Sequence, residues 1–322
     1  MDLKKYIDND ITREEALELC SLTGSNLTEL FSVANIIREK YCGDILETCT
    51  ITNAKSGKCS EDCKFCAQSS VYNTNVQCYP LKAEEIMAEE YKEAEKHKSM
   101  RFGIVTSGKG MKKGTEDFER VLKFIEDTTA EGKNSEICCS LGLLSEEEMK
   151  ELKKAGAKRY HCNLQTSPDT YHCFAATTHT SQDRIRTIQN AKKAGLQVCA
   201  GGIIGMGESW KDRIDMAFAL KELDVDGVPI NILNPIKGTP HGERETLDID
   251  EVLKTIAIFR IILKDKNIKI AAGRENIFKD FMGAGYLAGA NGMLVGGYLT
   301  VKGRAIEDDF KFIKNIQKIW KR

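Results

Sequence analysis

Three cysteines, Cys59, Cys63 and Cys66, stand in one short run with CxxxCxxC spacing, and Phe65 directly precedes the last of them. Thiolates this close together can hold three corners of a four-iron cluster. No fourth cysteine follows at matching spacing, which leaves one iron open to an outside ligand. An open iron next to a low-potential electron source is a site for radical chemistry. The alternative is structural zinc, since short cysteine spacings also hold that metal. Zinc wants four ligands, commonly arriving as two close pairs. Cys138 and Cys139 are adjacent and supply no second pair at two-residue spacing.

These residues need a frame. Apolar runs and amphipathic stretches alternate along the chain. Strands are predicted at 46–53, 101–106, 136–141, 159–164, 197–204, 227–232, 269–272 and 292–295, with helices at 82–97, 114–131, 145–155, 182–194, 209–223 and 248–264. Two further helices, 12–21 and 26–41, lead the chain. Gly132, Gly156 and Gly195 close helices before the next strand, as C-caps do. Eight strands with intervening helices predict an α/β fold, a closed (β/α)8 TIM barrel, over a single domain 1–322 with residues 1–44 as a short N-terminal helical extension. An open doubly wound sheet is less favoured, because no GxGxxG joins a first strand to a helix. Barrel chemistry gathers at the C-terminal strand ends, and the three-cysteine loop follows the first strand.

Composition narrows the partners. With 322 residues and a net charge of −1, nothing draws the chain to nucleic acid or to an anionic membrane. No apolar run approaches the ~18 residues of a membrane span, and the first residues lack the apolar stretch of a signal peptide. A cytoplasmic location is expected, where twelve cysteines are better suited to metal or redox chemistry than to disulfides. Cys20 and Cys42, on the leading helices, read as core residues.

The Cys59–Cys66 run and the place of Phe65 resemble the signature of the radical S-adenosylmethionine (SAM) superfamily. Further stretches are distinctive: Asn53–Gly57, Tyr160–Ser167, the glycine-rich Gly201–Glu208, Val228–Pro240 and Ala272-Gly-Arg-Glu275. In this order they resemble the biotin synthases over roughly residues 30 to 310. The resemblance implies a sulfurtransferase that converts dethiobiotin to biotin, with a [4Fe–4S] cluster binding SAM and an auxiliary iron–sulfur cluster supplying sulfur. It implies an electron donor such as flavodoxin or ferredoxin, and a homodimer. It gives Asn163 and Asn231 contacts with SAM or the cyclic urea of the substrate, and Arg184 a place near the SAM carboxylate. Phe65 and Gln165 join these as cofactor contacts, and Glu208 becomes a partner of the methionyl amine. Another radical SAM enzyme, such as a hydrogenase-cofactor maturase, and a non-catalytic Fe–S or zinc scaffold are the alternatives.

The chain departs from the best-known members of that family. They hold a [2Fe–2S] auxiliary cluster with three cysteines and an arginine. Only Cys138 and Cys199 match; Gly103 and Lys269 occupy the other two positions. Glycine offers no ligand, and lysine lacks the guanidinium geometry. Side chains alternate along a strand, so Cys49 shares the inward face of Ile51 and Asn53 and replaces one thiolate. By the same alternation Cys139 and Cys162 face outward. Cys49, Cys138 and Cys199 suit a cubane, and the chain resembles the branch, associated with anaerobes, that uses a [4Fe–5S] cluster. Lys269 would neutralise part of its charge.

Overall fold

The computed structural model describes residues 2–132, 134–299 and 303–321. Nine strands pair side by side, all in parallel: β1 (Glu47–Lys55), β2 (Arg101–Thr106), β3 (Glu136–Ser140), β4 (Arg159–His161), β5 (Gln197–Cys199), β6 (Gly202–Ile204), β7 (Gly227–Ile232), β8 (Asn267–Ile270) and β9 (Gly292–Leu294). β1 lies between β2 and β9, and both β5 and β6 pair with β7. β5 and β6 are therefore two halves of one stave, and the sheet closes into the predicted eight-stave barrel.

The broken stave differs from the continuous strand 197–204 expected from sequence, and crowding explains it. A Cβ on Gly201 would lie 2.0 Å from the Pro229 carbonyl oxygen, and one on Gly202 would lie 2.6 Å from that of Gln165. Glycine lets the chain pass between β7 and the segment after β4, at the cost of regular pairing. β4 likewise stops at His161 rather than continuing to residue 164, and Gln165 then makes an isolated bridge to Gly202.

Capping boxes at Thr12, Ser145, Thr180 and Ser209 start their helices, each side-chain oxygen accepting from the backbone N–H three residues on. Helix Ile249–Leu263 is buried around nearly its whole circumference. The N-terminal helix Gly24–Cys42 covers the side that faces away from the barrel, which lets a helix so apolar exist here. Helix Ile306–Trp320, absent from the sequence expectations, packs Ile313, Ile316 and Trp320 into the same core. Arg274 anchors it through a buried pair to Asp309 at 2.7 Å. Within the described residues, no helix is long and apolar enough to cross a membrane.

Candidate active site

One cavity of about 470 Å³ runs down the barrel axis. Cys59, Cys63 and Cys66 line its mouth; Cys49, Cys138 and Cys199 line its depth. The mouth set comes from one loop. A positive φ at Gly57 (75°) and at Lys58 (52°) turns the chain off β1 into it. Gly57 has no room for a side chain, because a Cβ there would meet the Cys78 sulfur at 2.2 Å. Glycine at this position is a packing requirement as well as a conformational one.

A second segment, 171–184, clamps the loop. Lys64 N–H donates to the Ala175 carbonyl at 2.8 Å, and the Asp62 carboxylate accepts from Thr177 and Thr178 N–H at 2.8 and 3.0 Å. Glu61 accepts from His179 Nδ1 at 2.8 Å. A carboxylate can only accept, so Nδ1 carries the proton and Nε2 offers a lone pair. Tyr171 Oη and Arg184 Nη2 lie 2.8 and 2.9 Å from that Nε2. Arg184 also donates to Tyr171 Oη at 2.6 Å and to the Asn163 carbonyl at 3.0 Å. Burial and the Arg184 charge hold the His179 pKa below its ordinary value, which keeps the ring neutral. Phe65 and Cys63 pack against Tyr171, Ala175 and Ala176. Burial pushes the Cys63 thiol up to about 12 despite nearby Arg184, so without metal this sulfur stays protonated.

The deep set is assembled by register from β1, β3 and β5, and all three cysteines are buried. Cys139 and Cys162 pack in the apolar core and also touch the cavity wall. Burial, reinforced by Cys49, pushes the Cys138 thiol up to about 12. Below these thiols the cavity ends on Arg101, Arg159 and Lys269. All three reach one carboxylate: Glu47 lies 2.8 Å from Arg101, 2.8 Å from Arg159 and 3.3 Å from Lys269. Burial alone would raise the Glu47 pKa, but Lys269, Arg159 and Arg101 overcome it and hold the carboxyl at about 2. Glu47, Arg101 and Arg159 were not singled out from sequence. The alternation that turns Cys49 inward also turns Glu47 inward, and extending it two residues would have found the acid.

Asn163 and Asn231 both line the cavity. Asn163 Oδ1 accepts from Gly201 N–H at 3.0 Å. Asn231 bridges two staves: its Nδ2 donates to the Gly202 carbonyl at 3.1 Å and its Oδ1 accepts from Ala272 N–H at 3.2 Å. Gln165 lines the cavity with a left-handed backbone, φ 73°, and its buried Oε1 has no partner. Such an acceptor in a cavity wall is suited to a ligand donor. His161 also faces the cavity; burial, then Lys269, lowers its pKa to about 4. Glu208 is not among the lining residues. Its Oε1 accepts from Gly205 N–H at 2.8 Å and from Arg213 Nε at 2.6 Å, so it braces the glycine turn. Cys78 and Cys173 are exposed.

The donor chemistry fits iron–sulfur groups at both ends. Each end offers three soft sulfur donors facing one cavity, and the deep end adds cations that compensate anionic charge.

Residues 54–220 match the radical SAM superfamily, and residues 229–317 match the biotin and thiamin synthesis associated domain. Biotin synthase of Thermotoga petrophila is 51% identical over 85% of this chain and 90% of its own length. That of Clostridium tetani is 47% identical over 97% of this chain and 95% of its own. The chain belongs to the biotin synthase family of radical SAM enzymes. Membership brings the [4Fe–4S] cluster and SAM, and it disfavours a zinc scaffold. Among solved structures, methylornithine synthase superposes with a TM-score of 0.82 at 20% identity, covering 97% of this chain and 95% of that one. A maturase of the [FeFe]-hydrogenase reaches 0.82 at 16% identity, covering 97% of this chain and 73% of its own. At these identities the likeness is one of fold, and the maturase alternative gains nothing beyond the barrel.

Proposed function

We propose that this chain makes biotin from dethiobiotin by radical insertion of sulfur, with its two cysteine sets holding two different iron–sulfur groups. The observation that carries the reading is one cavity with three thiols at its mouth and three at its depth. When bound, the [4Fe–4S] cluster supplies the electron that cleaves SAM, and the auxiliary group supplies the sulfur atom.

The chain's own residues do the rest. Cys59, Cys63 and Cys66 hold the first cluster, and the Glu61–His179–Arg184 clamp fixes their loop. Phe65, Gln165 and Arg184 contact SAM, Gln165 through its free acceptor. Glu208 supports that site through the glycine turn. Asn163 and Asn231 shape the wall that receives the cyclic urea, whose N–H and C=O groups need paired acceptors and donors. Cys49, Cys138 and Cys199 hold the auxiliary group, which we read as [4Fe–5S] rather than [2Fe–2S]. Gly103 offers no ligand, and Lys269 is engaged with Glu47 as a charge partner. A flavodoxin or ferredoxin as reductant, a homodimer and a cytoplasmic location belong to the same reading. Anaerobic turnover of dethiobiotin by the purified, reconstituted chain tests it; SAM cleavage without biotin would count against the substrate.

A further inference from the structure

The floor of the cavity carries more positive charge than the protein around it compensates. On the cavity side three cations, Arg101, Arg159 and Lys269, share the single carboxylate of Glu47. These four side chains are at most 10% exposed. Buried charge of one sign is costly unless a partner of the other sign joins it. The site is therefore built for an anion.

The floor is also thin. Arg101 lines the cavity with one end of its guanidinium network and meets Glu136 at 2.5 Å with the other. The Glu136 side chain is 43% exposed. Arg159 repeats the arrangement: it lines the cavity, and its Nε donates at 3.1 Å to Gln197, an exposed residue at the start of β5. Arg101 and Arg159, with Glu47 and Lys269, thus stand between the deep thiols and the more exposed Glu136 and Gln197 at the N-terminal end of the barrel. Glycine at 227 leaves room for Arg159, since a Cβ there would stand 3.4 Å from its Nη1.

We propose that this floor is a binding site and inlet for inorganic hydrosulfide, by which donor sulfur reaches the deep cysteines without passing the mouth. The proposal rests on the auxiliary-site reading given above. Hydrosulfide is small, singly charged and soft, which matches a cationic layer beneath three thiols. Lys269 and the two arginines attract it, and Glu47 holds their mutual spacing. Glu136 opposes it at the outer face, because its carboxylate repels anions and occupies Arg101. Access from below also separates sulfur supply from dethiobiotin and SAM, which arrive from above. Binding needs no redox step: hydrosulfide enters as an anion, and exchange returns one hydrosulfide for each taken up.

The test uses the anaerobically loaded full chain and sulfur-34-labelled sulfide, without reductant. Labelled acid-labile sulfide per chain is followed by mass spectrometry, with Cys49→Ala as the background for the mouth cysteines. Uptake should proceed at a similar rate, within about twofold, when SAM and dethiobiotin fill the mouth. Glu136→Gln, an isosteric change at a half-exposed position, should speed uptake several-fold. Lys269→Met should slow it about tenfold, and Lys269→Arg should recover most of the rate. Uptake that stops when the mouth is filled, or that is identical in wild type and Glu136→Gln, overturns the inlet. A wild-type chain holding only about four irons would instead overturn the auxiliary site itself, and the inlet with it.

Discussion

The two ends of the cavity present the same side chain, cysteine, and hold it in opposite ways. At the mouth, three cysteines within one loop are fixed by a hydrogen-bonded relay, Glu61 to His179 to Tyr171, with the cations Arg184 and Lys109 beside it. At the depth, three cysteines from separate strands stand over three cations and one acid. The mouth loop is held by hydrogen bonds to a second segment rather than by strand pairing. The backbone beneath the deep set is held by strand register, which leaves only side chains free to shift there. The difference is one of construction: a single clamped loop at the mouth, and separate strands over a charged floor at the depth.

The largest effect that would break the comparison is at Cys63. Cys63→Ala should abolish 5′-deoxyadenosine formation while the deep irons remain. A structural cysteine would cost only ~1–3 kcal/mol and leave the chemistry in the surviving fold. SAM cleavage at the wild-type rate in that protein would remove the mouth assignment.

Arg184→Met comes next, since it strips three donors from the clamp without touching the floor. Losing hydrogen bonds from a buried charged donor costs roughly 1–3 kcal/mol. Calorimetric SAM binding should weaken by about ten- to a hundredfold, with no change in iron held at the depth. Equal loss from both ends would show that the clamp is global scaffolding.

Asn231→Ala sharpens the comparison at the wall between the ends. It unpairs Gly202 C=O and Ala272 N–H, a cost of roughly 1–3 kcal/mol. Dethiobiotin turnover should fall at limiting substrate while SAM cleavage and both iron sites persist. Unchanged turnover would take Asn231 out of the substrate wall.

The smallest effect is on reactivity. Exposed Cys78 and Cys173 should alkylate readily in the native chain, whereas Cys139 and Cys162, in the apolar core, should not. Peptide mass mapping after a short iodoacetamide pulse reads this directly.

The mouth was legible in sequence because its three cysteines are neighbours in the chain. Placing Cys49 beside Cys138 and Cys199 at the depth required parity along β1, read from the alternation Cys49, Ile51, Asn53. The charged floor stayed hidden for a different reason. Glu47, Arg101 and Arg159 look like ordinary polar strand ends, and only ring closure brings their side chains to one point. The clamp was hidden too, since His179 and Glu61 are 118 residues apart. The break between β5 and β6 and the final helix were missed because tertiary crowding and late packing decide them.

The central claim is that the chain holds a second, cubane-type group at Cys49, Cys138 and Cys199. Iron and acid-labile sulfide per chain, measured on anaerobic wild type and Cys49→Ala, test it most directly. Two four-iron groups give about eight irons, falling toward about four in Cys49→Ala, with SAM cleavage retained and biotin formation lost. About six irons in the wild type, or biotin formed by Cys49→Ala, would contradict it.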